Sequence, residues 1–433
     1  MIDDLDLSVL AEERAREALL FRRIYPPRHD GGGPSYFGGE PCLPRGVDWP
    51  RDSAGEGMSF FGQIDCAEFP ACAERHLLPD RGLLYFFGNT EFGERVEQGR
   101  VIYYDGEAAD LTPVPPPAHV KPCFGGYWTY TFPWLEHRPE AAPRSFPKWS
   151  VEPLVAQTYP SQTVLEMEEA PEGLDEACES LQRESLTAAF GPAPARHHPK
   201  APYREIWVPD EAFPYTWLHV EIFAGVLARE LARVAGQKTA SGKAVKVFGT
   251  ARSQCLEWYR RGQEAGSFGP VGAKDREAFF VWCRSLAEMA VAAARPGLLS
   301  RLTGSAEPGA TKEFSALEPF YLNDAMKQAY QLATPLCLVE SAATASLIPD
   351  QVAKTLAYQD VHSHGSVRHQ MLGHADAPQY AAWTHKDDVL LMQFHDDPGL
   401  FWSFESGVVQ FWIKPEDLAA RDFDQVVMTM ECT

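Results

Sequence analysis

Apolar positions along the chain follow two rhythms. Short runs in which nearly every residue is apolar gather toward the two ends, and longer stretches with apolar residues three and four apart fill the middle. The short runs MSFFGQID (58–65), RGLLYFFGN (81–89) and RVIYYDG (100–106) predict strands, as do DDVLLMQFHDD (387–397), FWSF (401–404), GVVQFWIK (407–414) and DQVVMTMEC (424–432). The longer stretches predict helices from Trp217 to Val234, closed by Gly236, and from Lys274 to Ala294, closed by Pro296. A third begins at Ser315, where Ser315 and Glu318 fit a capping box and Pro335 marks the stop; a shorter one follows Pro349. Another helix, around 173–190, runs into the linker-like GPAPARHHPKAP (191–202). At the N-terminus the pattern predicts a helix from Ser8 to about Ile24, ended by Pro26-Pro27 and followed by a flexible HDGGGPS arm. Residues 107–150, rich in proline and aromatics, predict long ordered loops with short strands such as YWTYTF (127–132).

The two strand-rich ends resemble each other. MSFFGQID and VLLMQFHD each set a glutamine inside an apolar strand and follow it with an aspartate (Gln63 and Asp65; Gln393 and Asp396). GLLYFF (82–87) parallels GVVQFW (407–412), and FGGEPCLP (37–44) parallels MLGHADAP (371–378). Three matched elements in one order predict an internal duplication. The expected fold class is α+β: two pseudo-repeated, mostly antiparallel β modules form one core, with a helical insertion between them. The divisions fall at 1–33 (helix and arm), 34–170 (first β module), 171–202 (helix and linker), 203–360 (helical insertion) and 361–433 (second β module).

Composition narrows the function. No window approaches 18 uninterrupted apolar residues, so neither a membrane-spanning helix nor a membrane partner is expected. The first residues, acidic and without an apolar core ahead of a cleavage site, do not read as a signal peptide. Nine scattered cysteines, never spaced Cys-x-x-Cys, speak against a zinc ribbon or disulfide framework and for the cytoplasm. A formal net charge of −21 argues against a nucleic acid partner, whose phosphates would be repelled. Within that acidic chain Pro202 to Tyr330 holds 16 Lys/Arg against 14 Asp/Glu, with eight of the basic residues between Arg229 and Arg261.

Several residues stand out as candidate binding positions. Gly38 and Gly39 permit backbone conformations closed to other residues, Pro41, Pro44 and Pro50 stiffen the loop, and Trp49 offers a large apolar face. Gln63 and Gln393 must be hydrogen-bonded inside their strands or incur about 1–3 kcal/mol of desolvation. Each glutamine either satisfies the backbone of its own Gly-rich loop or faces a shared polar pocket, to which Asp65 and Asp396 could add acid. Six of the 13 histidines lie between 362 and 395. His362, His364 and His369 are the candidate ligands should a divalent metal bind, although no recognised ligand spacing is present and no cofactor is otherwise expected. No nucleophile elbow or P-loop is present, and Ser-Gly-Lys at 241–243 lacks the upstream glycine.

One set of motifs is recognisable. Phe37-Gly38-Gly39-x-Pro41-x-Leu43-Pro44, Asp48-Trp49-Pro50, Gln63-Ile64-Asp65 and Leu78-Pro79-Asp80-x-Gly82-Leu83-Leu84-Tyr85-Phe86-Phe87 together resemble the YwqG-like family of bacterial proteins. Leu372-Gly373-His374, Gln379, Leu390-Leu391-Met392-Gln393 and the strand from Gly407 to Ile413 agree. The resemblance covers roughly 34–105 and 366–433 and leaves the helical middle unmatched. It departs at Gly373-His374-Ala375, where the family usually continues Gly-Tyr-Pro. It implies a mixed α/β architecture with a duplicated β core and no particular reaction. The similarity of some members' genomic setting to toxin systems suggests an immunity or partner-binding role. The leading expectation is therefore a non-catalytic cytoplasmic binding protein, with a basic protein partner favoured by the acidic charge. The alternative is an enzyme or small-molecule binder, metal-dependent in one form, using a cleft between the repeats lined by Trp49, Gln63, Gln393 and the histidine cluster; Gly38, Gly39, Asp65, Gly373 and Gln379 complete the candidate ligand- or partner-binding positions under either reading.

Overall fold

The computed structural model describes residues 6–29, 33–89, 98–123, 143–191, 206–238, 240–294, 312–355, 369–397, 399–402, 404 and 407–432. Two compact units divide the chain. One comprises Met1–Cys123, Pro143–Ala195 and Gln351–Thr433, and the other Phe124–Ala142 and Arg196–Asp350.

The first unit is built on ten strands: β1 (Arg16–Arg23), β2 (Tyr36–Phe37), β3 (Ser59–Asp65), β4 (Leu83–Gly88), β5 (Gly99–Tyr104), β6 (Trp149–Thr158), β7 (Gln370–Leu372), β8 (Val389–His395), β9 (Val408–Ile413) and β10 (Val427–Glu431). They form one antiparallel sheet in the order β10-β9-β8-β7-β1-β6-β2-β3-β4-β5. The order is symmetric about the long central pair, β1 with β6. Each flank continues with a very short strand (β2 or β7) and then a three-strand meander. The bulge between Phe60 and Gly62 in β3 has its counterpart between Leu390 and Met392 in β8.

The sheet is rolled. Phe61 on β3 and Phe394 on β8 are five strands apart, a separation of roughly 24 Å in a flat sheet, yet their rings lie 5.3 Å apart. Phe86 meets Phe411 at 5.4 Å. At the two edges Arg100 pairs with Asp424 at 2.6 Å and Tyr103 packs on Phe423 at 5.3 Å. The concave interior is filled with aromatic side chains, Phe37, Phe61, Phe86, Phe394, Trp402 and Phe411 among them, as in small barrels whose interiors are packed core. Over the convex face, beyond the short helix α2 (Gln162–Met167) in the chain, helix α3 (Leu174–Phe190) covers the centre, burying Leu186 and Phe190 on Ala18, Leu20 and Ala156.

Helix α1 (Leu7–Glu13) is shorter than the apolar pattern predicts, and the remainder of the expected Ser8–Ile24 helix is strand β1. Ala18, Leu19 and Leu20 are fully buried on a strand with partners on both sides, so the run is apolar on both faces and has no strand alternation. Asp6 caps α1, accepting from the Ser8 amide at 3.1 Å. Among the described residues of FWSF, Trp402 forms an isolated bridge with Asp397 in place of the expected strand. YWTYTF and most of the 191–202 linker lie outside the described residues.

The second unit is helical: α4 (Trp217–Ala235), α5 (Gly242–Ala265), α6 (Ala273–Ala294), α7 (Pro319–Glu340) and the short α8 (Ala342–Ala345); the predicted helix after Pro349 is a segment at 350–355, which falls at the division between the units. Helix α4 is central, buried almost continuously from Trp217 to Ala228. Phe223 packs against Phe279 and Trp282 of α6, and Trp258 of α5 stacks on Trp282 at 5.5 Å. The third predicted helix starts at Pro319 and runs through Pro335. The Thr334 hydroxyl donates to the Tyr330 carbonyl at 2.6 Å, and Ala333, Cys337 and Leu338 are buried on both sides of the proline. Tertiary packing thus overrides the break. Helix α5 was not anticipated, although Ser241 caps it by accepting from the Ala244 amide at 3.1 Å.

The turn after β2 makes a sharp test of the fold. Gly38 has φ +63°, and a Cβ there would stand 2.1 Å from the Pro147 carbonyl oxygen. Gly46 has φ +87° with nothing within 4 Å. In chemical denaturation Gly46→Ala should cost about 1–2 kcal/mol, the left-handed strain alone, whereas Gly38→Ala should lower stability clearly further or prevent folding.

Candidate functional site

The two flanks of the sheet share one hydrogen-bonded device, built around the glutamines singled out in the sequence. In the first flank Tyr36, Gln63 and Tyr85 stand in register across β2, β3 and β4. Gln63 Oε1 accepts from the Cys42 amide at 3.0 Å, and Gln63 Nε2 donates to the Pro34 carbonyl at 2.9 Å. The Tyr85 hydroxyl donates to the Cys42 carbonyl at 2.6 Å, and the Tyr36 hydroxyl donates to the Glu40 carbonyl at 2.6 Å. Burial pushes both phenols well above their ordinary range, so they remain proton donors.

In the second flank Gln370, Gln393 and Gln410 occupy the same register across β7, β8 and β9. Gln393 Oε1 accepts from the Asp376 amide at 2.9 Å, as Gln63 does from Cys42. Gln410 Nε2 donates to the Asp376 carbonyl at 2.6 Å, where the first flank uses Tyr85. Gln370 Nε2 donates to the His374 carbonyl at 2.7 Å, where the first flank uses Tyr36. Each flank therefore clamps one loop residue, Cys42 or Asp376, by both its N–H and its C=O. The loops also turn alike. Gly38 and Gly39 have φ +63° and +69°, and Leu372 and Gly373 have +61° and +67°.

The clamped residues present different chemistry. Cys42 is partly exposed, with its thiol 3.6 Å from the Tyr36 hydroxyl, and Lys148 stands 4.0 Å over the Tyr36 ring. Burial draws the Lys148 ammonium down from its usual value. Asp376 accepts from Gln393 Nε2 at 3.3 Å and lies 3.7 Å from His395 Nε2.

The remaining candidates are dispersed. Trp49 is buried, donates to the Met58 carbonyl at 2.8 Å and packs on Phe87. Asp65 Oδ1 accepts from the Ala67 amide at 2.9 Å, capping a short 3-10 turn. Gln379 is exposed and ties the chain end, donating to the Cys432 carbonyl at 2.8 Å. His369 is buried: its Nδ1 accepts from the His395 amide at 3.3 Å, and its Nε2 donates to Asp397 at 3.0 Å. Asp397 also pairs with Arg23, whose guanidinium lies 5.0 Å over Trp149. Both ring nitrogens of His369 are thus engaged within the core. His362 and His364 lie outside the described residues. Among the described residues, no group of three His, Cys, Asp or Glu side chains is placed to hold a metal ion. Sequence reasoning missed Tyr36, Tyr85, Gln370 and Gln410 as clamp members, although a third glutamine in an apolar strand, Gln410, was a readable signal.

The chain matches the model of a family described as a domain of unknown function, DUF1963, over residues 35–198 and 298–432. That is most of its length, and the chain belongs to that family. The match omits 199–297, and with it α4, α5 and α6. No curated protein matches the chain. Among the described residues, no helix is long and apolar enough to cross a membrane.

Two measurements probe the clamp. Replacing Gln63 with Ala strands the Cys42 amide and the Pro34 carbonyl, and should lower unfolding free energy by about 1–3 kcal/mol; an unchanged melting temperature would show that the amide is not structural. His374 adds a pH dependence. Its Nε2 donates to the Arg14 carbonyl at 2.8 Å, and burial pushes its pKa down to about 4 from an ordinary 6.5. The unfolded chain takes up a proton near 6.5 that the folded chain refuses until about 4. The contribution is therefore complete above the higher value and lost as pH falls toward the lower. His374→Gln should flatten the pH dependence of unfolding free energy in that window.

Proposed function

We propose that this protein is a non-catalytic cytoplasmic binding protein, built on a duplicated sheet, whose sheet unit recognises a basic protein partner. The observation that carries this reading is where the charge resides. The sheet unit holds 20 Lys/Arg against 42 Asp/Glu, a net of −22, and the helical unit 19 against 18. A surface so one-sided steers oppositely charged partners toward it and repels acidic ones. The rolled interior is filled with aromatic rings, and the glutamine clamps hold their own loops, so these groups support a rigid scaffold that presents its outer surface. Neutralising or regulating a partner, as an immunity protein does, fits such a scaffold.

Capture with the tagged full chain at low salt should recover a basic protein in stoichiometric amount. Its association rate constant should fall about tenfold or more between about 50 and about 500 mM salt, as screening shortens the field. An acidic partner, or a rate indifferent to salt, would overturn the reading.

A further inference from the structure

Helix α4 starts in the core of its unit and carries two polar side chains there, housed differently. His219 has a partner at each ring nitrogen. The Thr334 hydroxyl donates to the Tyr330 carbonyl, so it accepts from His219 Nε2 at 3.1 Å, and His219 Nδ1 accepts from the Thr216 hydroxyl at 2.9 Å. Glu221, two residues on and so nearly opposite around the helix, is as deeply placed, at 2% exposed. Ser267 offers it a side-chain hydrogen bond, but its Oε1 has no donor among the described residues. Gly262 of α5 makes the room that it occupies: a Cβ there would stand 2.5 Å from Glu221 Cγ and 3.0 Å from Oε1.

Ser267 belongs to a strap, residues 266–271, that joins α5 to α6 and is tied to the start of α4. The Leu218 amide donates to the Ser267 carbonyl at 2.6 Å, the Trp217 amide to the Gly269 carbonyl at 3.0 Å, and the Val271 amide to the Tyr215 carbonyl at 3.2 Å. Two first-turn amides of α4, which no carbonyl within the helix can serve, are thus closed by the strap. Ser267 touches the buried carboxyl and is itself partly open to solvent, with Gly266 and Pro270 exposed beside it, so lifting the strap opens Glu221 to water.

We propose that Glu221 is a proton-operated latch within the helical unit: with its carboxyl protonated the strap is seated on α4, and with it ionised the strap lifts. A buried carboxylate with an oxygen that nothing solvates is costly, whereas the neutral acid is not. The charged groups of the packed elements are committed elsewhere. Arg261 of α5 pairs with Asp275 of α6 and lies over the Trp258 ring at 4.7 Å, while Arg260 pairs with Glu257 and Glu264. Arg276 of α6 donates to the Val271 carbonyl at 3.1 Å, and Asp210, ahead of α4, accepts from the Tyr215 hydroxyl at 2.6 Å. Toward α7, burial pushes His219 down to about 3 and the Tyr330 phenol and Cys337 thiol up to about 12, so all three are uncharged. The buried thiols Cys255 of α5 and Cys283 of α6 also keep their protons, and the strap has no ionisable side chain. Burial pushes Glu221 up to about 7 from an ordinary 4.5. The seated strap therefore holds the proton where an opened one releases it: the stabilisation is fully present below the lower value and is lost as pH rises through the higher. The latch stands apart from the partner reading above.

The test compares the full chain with Glu221→Gln, which keeps the shape of the side chain and stays neutral at every pH. Between the two values the wild-type chain should show the infrared band of a protonated carboxylic acid, and Glu221→Gln should lack it. Exchange of the Trp217 and Leu218 amides, which the strap covers, should speed up in the wild type relative to Glu221→Gln at the same pH. That ratio should approach about a tenfold rise per pH unit across the window and then level off. Ser267→Ala removes the hydrogen bond that favours the ionised form, so it should move the midpoint of the carboxyl band to higher pH. This readout serves whether or not Glu221→Gln folds. A wild-type chain without the band, an exchange ratio that stays constant with pH, or a midpoint unmoved by Ser267→Ala would overturn the proposal.

Discussion

A loop laid across the buried face of a sheet brings backbone N–H and C=O groups to a place that water does not reach, and each must find a partner. Most of the sheet unit follows from how that demand is met. The loop after β2 and the loop after β7 run over the convex face, and both are held from beneath by side chains standing in the sheet itself. Placing a glutamine in a buried strand satisfies the amide of the residue above it. A donor on the neighbouring strand satisfies the carbonyl. With both groups closed, the loop can serve as the outer layer of the core. Leu43 and Trp49 then bury themselves on the first flank, and Ala375 and Ala377 on the second.

The correspondence between the flanks is stronger in hydrogen bonds than in residue types. Tyr36 and Tyr85 on one side become Gln370 and Gln410 on the other, and a phenol and a carboxamide deliver a donor to the same carbonyl positions. What is held in common is the geometry of a donor above a strand, together with a left-handed pair of residues at the turn. The likeness lies in backbone geometry and hydrogen bonds, and the difference in residue type accounts for how faint it is in the sequence. The residue above the clamp differs most, Cys42 on one flank and Asp376 on the other.

The legible parts of the fold were those whose signal is local. Gln63 and Gln393 stood out because amides are rare in apolar strands, and the meander strands stood out as runs. The central pair was illegible for a physical reason. β1 is apolar on both faces, and its Arg-Glu-Ala-Leu-Leu run has helix-forming composition that pairing on both sides overrides. β6 contains Pro153, which discourages a strand reading; it is tolerated where β6 has a ladder on one side only, since β2 reaches just Trp149 and Ser150. Pro335 misled in the opposite direction, inside a helix held by core contacts on both sides. The buried Arg23–Asp397–His369 group joins one end of the sequence to the other, and no spacing rule could have assembled it.

These observations divide the molecule by what each part can vary. In the sheet unit the interior is packed with rings and the loops are locked from below, so substitutions there disturb core or backbone before they alter a surface. The acidic exterior is free of that constraint. The helices α4 to α6 lie outside the family match and are stabilised by their own aromatic core, in which Trp258, Phe279 and Trp282 pack on α4. Because that core does not depend on the outer side of α5, charge and apolar character can change along that helix at little structural cost.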